Sequence, residues 1–316
     1  MTLARLATAT LFGKLPARGD FIASGERGAA ETAFAVWLTR AVEAAHGKVS
    51  PFAVRFVAKG VEGTTLIGSW LASRDAVGRD FPCAVSCRLH GTLHDAAQAL
   101  LLGCCSPLED FVQSVMTSAL DERVETLGQA CPSPLACVEP AMRSLPERTR
   151  RAHDALASTH IHSFSAATFV ECPLDNLTYA LSVLQRAART PRPELTLDIP
   201  ASSDLELFVW LALLEASHTR ENPGVDRVSV GDDSPTLLLW SPSLQRALLC
   251  LGAWSTDLLV YLSHPDHPSH RRWPLWTDRR DASASARSEL DPATLDCIER
   301  DGTLAALLAS VRRRAR

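Results

Sequence analysis

The chain has 316 residues, 46% hydrophobic and 22% charged, with a formal net charge of −4. That length allows two modest domains or one large one, at roughly 100–200 residues per domain, and the apolar content excludes wholesale disorder. The small negative charge gives no general attraction to nucleic acid phosphates or anionic lipid, so neither partner is expected.

Nine cysteines, at positions 83, 87, 104, 105, 131, 137, 172, 250 and 297, form an odd set without regular spacing. Residues 1–10 lack the longer apolar stretch of a secretory signal, so free thiols in the cytoplasm are the expected state. The greasiest region, residues 236–262, is interrupted by Ser241, Pro242, Gln245, Arg246, Ser255 and Asp257. It does not suit a membrane-spanning helix, and no membrane insertion is expected.

In chain order, residues 8–12 supply the β-branched and aromatic side chains of a strand. The strand runs into a turn punctuated by Gly13, Pro16 and Gly19, from which Lys14, Arg18, Asp20 and Phe21 project. Residues 26–46 are Ala-rich, with Phe34, Trp37, Leu38 and Val42 on one face of a helix that ends at Gly47. Strands are expected over 52–58, 65–72 and 82–89. In the last of these, Cys83, Val85, Cys87 and Leu89 alternate with Ala84, Ser86 and Arg88. Between the second and third lies a polar loop bearing Arg74, Asp75, Arg79 and Asp80, long enough to be functional.

Helices are expected over 93–102 and 107–127, the second opening with Ser106 as N-cap and Pro107 at its first position. Residues 131–146 hold Pro132, Pro134, Pro140 and Pro146 with little periodicity and read as a linker. Then come a helix at 147–157, a strand at 161–170, a helix at 175–188, a strand at 194–199 and a helix at 203–216 capped by Ser203. A hairpin of 237–240 and 246–251 turns through Ser241-Pro242-Ser243, and a helix at 254–262 follows. The tail holds a Pro/His-rich segment, a mobile stretch at 277–288, and a short helix from about 292 with a basic end. The expected class is α/β, of the α+β type, in two consecutive domains. Each is a mostly antiparallel or mixed β-sheet flanked by α-helices, at 1–130 and 147–262, joined by the 131–146 linker and followed by the 263–316 tail.

Phe12-Gly13-Lys14-Leu15-Pro16, Arg18-Gly19-Asp20-Phe21, and later Ser73, Asp75, Val77-Gly78-Arg79 and Phe81-Pro82 together resemble the TagF family. TagF is an accessory protein of bacterial type VI secretion systems. The first motif is not a phosphate-binding loop, since the G-x-x-x-x-G-K-[ST] spacing is absent. A weaker likeness to later parts of TagF proteins lies in the strand ending at Trp240 and in Leu248-Leu249-Cys250 with Gly252, so the resemblance spans about residues 9–262. It implies a cytoplasmic, non-enzymatic repressor that acts after translation by protein contact; the residues themselves offer no cofactor loop and no convincingly spaced metal cluster, so neither cofactor nor metal is expected. The implied partner is the forkhead-associated scaffold protein of the same system. Some relatives carry a fused serine/threonine phosphatase domain, and none is evident here.

The charged residues of the two loops, Lys14, Arg18, Asp20, Arg74, Asp75, Arg79 and Asp80, with Phe21, admit two roles. They can interlock as scaffold through Arg–carboxylate pairs, or form a recognition surface with Arg74 and Arg79 as exposed anchors. The alternative from another class is a small hydrolase or metal-dependent enzyme. It would use His160 and His162, alternating on one face of a strand, or His264, His267 and His270 with Asp266. Pro265 and Pro268 prevent the helix that would align those last rings, and no G-x-S-x-G elbow is present. Cys83, Cys87, Cys104 and Cys105 read as buried small hydrophobes rather than zinc ligands. Gly231-Asp232-Asp233-Ser234 reads as a turn.

Overall fold

The computed structural model describes residues 5–16, 19–59, 64–90, 95–120, 133–169, 172–189, 194–218, 236–252, 254–263, 272–274 and 286–314. The early strands are β1 (Arg5–Lys14), β2 (Phe21–Ser24), β3 (Val54–Lys59), β4 (Thr65–Leu71) and β5 (Cys83–His90). The later ones are β6 (Glu194–Pro200), β7 (Thr236–Ser241), β8 (Arg246–Gly252) and β9 (Arg272–Pro274). They form one nine-stranded sheet in the order β2-β1-β5-β4-β3-β7-β8-β6-β9. Every neighbouring pair is antiparallel except β6 and β9, which run parallel.

The α/β class is therefore as expected, and both halves of the chain build on antiparallel strands. The sheet, however, is continuous across them. β3 pairs with β7 along five residues, from Arg55 opposite Trp240 to Lys59 opposite Thr236. Both strands carry apolar residues on both faces, the pattern of central strands covered on each side. Val54, Phe56 and Ala58 of β3 and Leu237 and Leu239 of β7 enter one core, while Val57, Leu238 and Trp240 enter the other.

Helix α1 (Ala29–Ala44) covers one face of the sheet. Phe34, Trp37, Leu38 and Val42 are buried there with Phe56 and Trp70, and half-buried Trp254 packs against them. Phe34 stacks on Phe56 with ring centroids 4.3 Å apart, and such ring pairs are worth about 0.5–1.5 kcal/mol beyond area burial. The start of α1 is pinned by Glu31, which accepts from Gly28 N at 2.9 Å and from Arg88 Nε at 2.7 Å. Burial raises the Glu31 carboxyl, and the Arg88 hydrogen bond together with the backbone donors outweighs it, so the net pKa is lowered. The short helix α9 (Leu258–Ser263) shares this face.

The remaining helices of the described residues lie on the other face. They are α2 (Asp95–Gly103), α3 (Ser106–Leu120), α4 (Pro134–Arg143), α5 (Leu145–Ser158), α6 (Ile161–Thr168), α7 (Pro173–Arg189), α8 (Asp204–His218), α10 (Pro292–Glu299) and α11 (Leu304–Arg314). Two expectations are corrected here. The Pro-rich stretch at 131–146 contains α4 and the start of α5, not an irregular linker. Pro134 stands in the first turn, where its missing N–H costs nothing, and Val138 and Met142 are buried one turn apart. Residues 161–168 are helical, not a strand, because Ile161, Phe164 and Ser165 are the buried positions, at helical spacing.

Elsewhere the expected elements form within a few residues of their predicted bounds, including the β7–β8 hairpin, which turns through Pro242–Leu244 with Gln245 in the left-handed region. The β-bridged segment Arg272–Pro274 falls inside the stretch read as irregular tail. Residues 121–127 of the expected third helix, Gly231–Ser234, the three tail histidines with Asp266, Cys131 and most of the 277–288 stretch lie outside the described residues.

Candidate functional site

The two motif loops meet at one end of the sheet, and a single carboxylate joins them. Asp75 has a fully buried side chain and accepts from Lys14 Nζ at 2.8 Å and from Arg79 Nε at 2.7 Å. Its other oxygen accepts from the backbone N–H of Val77 at 3.0 Å and of Arg79 at 2.8 Å. Two backbone bonds close the same loop, from Asp75 N to Arg79 O and from Gly78 N to Asp75 O, each 3.0 Å. The loop is thus wound around its own aspartate, as Asx turns are. Burial raises the Asp75 carboxyl; the Lys14 ammonium, the Arg79 donors and the Val77 amide outweigh that and hold it well below the usual carboxylate range.

Lys14 reaches this position because β1 ends beside the start of β5. Gly13 has φ +142, and a Cβ there would lie 2.1 Å from Pro82 O, so only glycine allows the approach. Above the pair, Phe12, Phe21 and Phe81 form a ring cluster with centroids 4.6–5.8 Å apart. Lys14 Nζ lies 5.1 Å from the Phe21 ring centroid, and Arg27 covers Phe12 at 5.0 Å. Arg27 was not among the residues singled out from sequence; its place beyond the motif, in the link to α1, gave no signal.

The outer part of the loop is exposed. Arg74 and Asp80 form a bidentate pair at 2.7 and 3.2 Å on the surface, and Arg79 reaches back to the carbonyl of Gly19, tying the two loops together. Between them Val77 is 70% exposed, with its side chain beside Gly19, and Phe21 is 47% exposed. Of the predicted residues, Lys14 and Asp75 are buried, whereas Asp20, Phe21, Arg74, Arg79 and Asp80 are exposed. Arg18 lies outside the described residues.

Residues 10–129 match the family model of the TagF N-terminal domain, described as type VI secretion system-associated. This part of the chain is a TagF N-terminal domain. No curated protein matches the chain significantly. Among solved structures, a crystal structure of PA0076 from Pseudomonas aeruginosa PAO1 aligns at 23% identity with a TM-score of 0.30. The alignment covers 40% of this chain and 64% of that one, so the chain spans less than two thirds of that structure.

Both motif loops fall inside the TagF domain, while the residues of the enzyme alternative lie beyond it. His160 and His162 sit at the start of α6 and contact the turn between α10 and α11. His160 Nδ1 is 2.7 Å from Asp301 O, and His162 Nε2 is 3.0 Å from Ile298 O. Asp301 itself accepts from His162 N at 2.8 Å, capping the exposed amide end of α6. These contacts fasten the last two helices to the body. In the TagF domain, burial pushes the Cys83 and Cys87 thiols up to about 12 and Cys105 well above the usual thiol range. Protonated, apolar and enclosed, they pack as small hydrophobes. No helix among the described residues is long and apolar enough to cross a membrane.

Proposed function

We propose that this chain is a non-enzymatic, cytoplasmic accessory protein of a type VI secretion system. It represses the apparatus after translation by binding one of its components, with a forkhead-associated scaffold protein as the first candidate. The family of residues 10–129 supports the system. The observation that carries the binding reading is the exposed Val77 at the tip of a loop whose conformation is fixed by buried Asp75.

An interface patch needs an apolar centre, a polar rim and little ordering cost on contact. Val77 and Phe21 supply the centre. Arg74, Arg79, Asp20 and Asp80 supply the rim, and the hydrogen bonds to Asp75 hold the loop in one shape before any partner arrives. Arg79 has a double position, since its guanidinium binds Asp75 while its side chain is 58% exposed. The motif then serves as scaffold and surface at once, with the division falling between buried and exposed residues.

The experiment uses purified components of the apparatus from the same genome and the full chain, with binding read by calorimetry. Val77→Asp and the double variant Arg74→Ala/Arg79→Ala are expected to keep native circular dichroism and to weaken binding by about tenfold or more, equivalent to ~1.4 kcal/mol. Folded variants that bind like wild type would show that the loops are only scaffold. Absence of binding to any component would remove the proposed role itself.

A further inference from the structure

Among the described residues, β2 is the outermost strand on its side of the sheet and pairs with β1 alone. Its other side presents backbone groups that an extended chain can satisfy in register. Native edges are commonly blunted by lysine, proline or a bulge. The Phe21-Ile22-Ala23-Ser24 strand has no charge and no proline, and Phe21, Ala23 and Ser24 are exposed.

The strand is also complementary to itself. When an edge strand pairs antiparallel with its own copy, the two-fold axis stands perpendicular to the sheet, and residues opposite each other share a face. Only registers that pair odd with odd and even with even numbers meet that condition. In the register centred on Ile22, Phe21 lies opposite Ala23 of the copy and Ile22 lies opposite its own equivalent. A large ring beside a small residue and two β-branched side chains at the axis are favourable cross-strand pairs. The ends fit by charge. Gly19, whose carbonyl holds the Arg79 guanidinium, falls opposite Gly25 of the copy. Exposed Arg79 is thereby brought toward the exposed Glu26 that follows Gly25, and symmetry repeats the pairing at the other end.

We propose that two copies of this chain associate edge to edge through β2, with Ile22 on the two-fold axis, making one continuous sheet. The two Asp75-centred loops then lie on the same face, at opposite ends of the paired strands. This surface shares Phe21 and Arg79 with the binding patch proposed above, but it is argued from the β2 edge alone and does not rest on that role.

The test is sedimentation equilibrium of the full chain over a concentration series, with oxidative cross-linking of cysteine variants. Opposite Cα atoms of an antiparallel pair lie about 4.5–5.5 Å apart, a separation a disulfide spans. Ile22→Cys is expected to give a covalent dimer on oxidation, and Ser24→Cys, off the axis, is expected to give no more than wild type. Ala23→Lys, on an exposed position, is expected to keep the fold by circular dichroism and weaken dimerisation by about tenfold or more. A wild-type chain that stays monomeric throughout overturns the proposal, whether or not another protein's strand covers β2. So does a dimer that Ala23→Lys leaves intact and Ile22→Cys fails to cross-link, because it must use another surface.

Discussion

Lys14 and Asp75 are 61 residues apart in the chain and 2.8 Å apart in the fold, each almost wholly removed from solvent. One is the last residue of β1 and the other opens the loop before β5, so their contact locks two motifs into a single unit. A buried ion pair of this kind loses much of its Coulombic gain to desolvation, and its importance lies in what breaks when one partner is removed. Here the loop that carries Val77 and Arg79 would lose its internal anchor.

The first prediction concerns acid stability. The folded-state pKa of Asp75 is depressed, because Lys14, Arg79 and backbone amides outweigh burial. A depressed carboxyl contributes stability that is present in full above its unfolded value, about 3.9, and is lost as the pH falls through the lower folded value. Asp75→Asn is therefore expected to lower the melting temperature at pH 7 and to flatten the acid limb below about pH 4 relative to wild type. Thermal melts from neutral to strongly acidic pH measure this. An acid limb unchanged in the variant would remove Asp75 as its source.

The second prediction separates two glycines of the same motif region. Gly13 has φ +142 with a backbone oxygen 2.1 Å from where a Cβ would stand, whereas Gly78 has φ +89 and nothing within 4 Å. Gly78→Ala meets only conformational strain, about 1–3 kcal/mol. Gly13→Ala meets strain and a collision with the start of β5, and it is expected to cost clearly more, on the order of 4 kcal/mol. Chemical denaturation of both variants tests the order, and equal costs would show that β1 and β5 can part at that point without penalty.

The third prediction concerns the two domains, at about residues 1–130 and 147–262, which we propose share one sheet and do not fold apart. β3 and β7 pair across that division, and Arg55 of β3 binds Glu109 at 2.5 Å while covering the Trp240 ring at 5.2 Å. Trp37 of α1 donates to Ser255 O at 3.0 Å. A chain cut between residues 120 and 133 is expected to stay together as two fragments on size-exclusion chromatography. The fragment 1–120 made alone is expected to aggregate, because it exposes the apolar edge of β3. Fragments that separate as folded monomers would show that the shared sheet does not bind the halves.

Much of this architecture was legible in the residue pattern. Cys83, Val85, Cys87 and Leu89 face one core as their alternation requires, and α1 buries the four apolar residues its spacing selects. The alternation that misled was His160-Ile161-His162, where three residues fit a strand as well as a helix. The choice was made by burial of Ile161 and Phe164 and by the cap that Asp301 supplies from 139 residues away. Pro140 misled in the opposite sense. A proline near the end of a two-to-three-turn helix removes one internal hydrogen bond, and packing of Val138 against the core outweighs that loss.

The site divides in the same way. The sequence by itself determined that two Gly-punctuated charged loops exist, and which family they resemble, because glycine and proline act through local backbone geometry and a motif is a local pattern. Only the tertiary structure decided which charges are scaffold and which are surface. Asp75 and Asp80 look alike in the sequence, yet one is enclosed by Lys14 and Arg79 while the other faces solvent with Arg74. The continuous sheet was likewise decided there, because hydrogen bonds between β3 and β7 join strands about 180 residues apart, and strand propensity does not encode the partner of an edge.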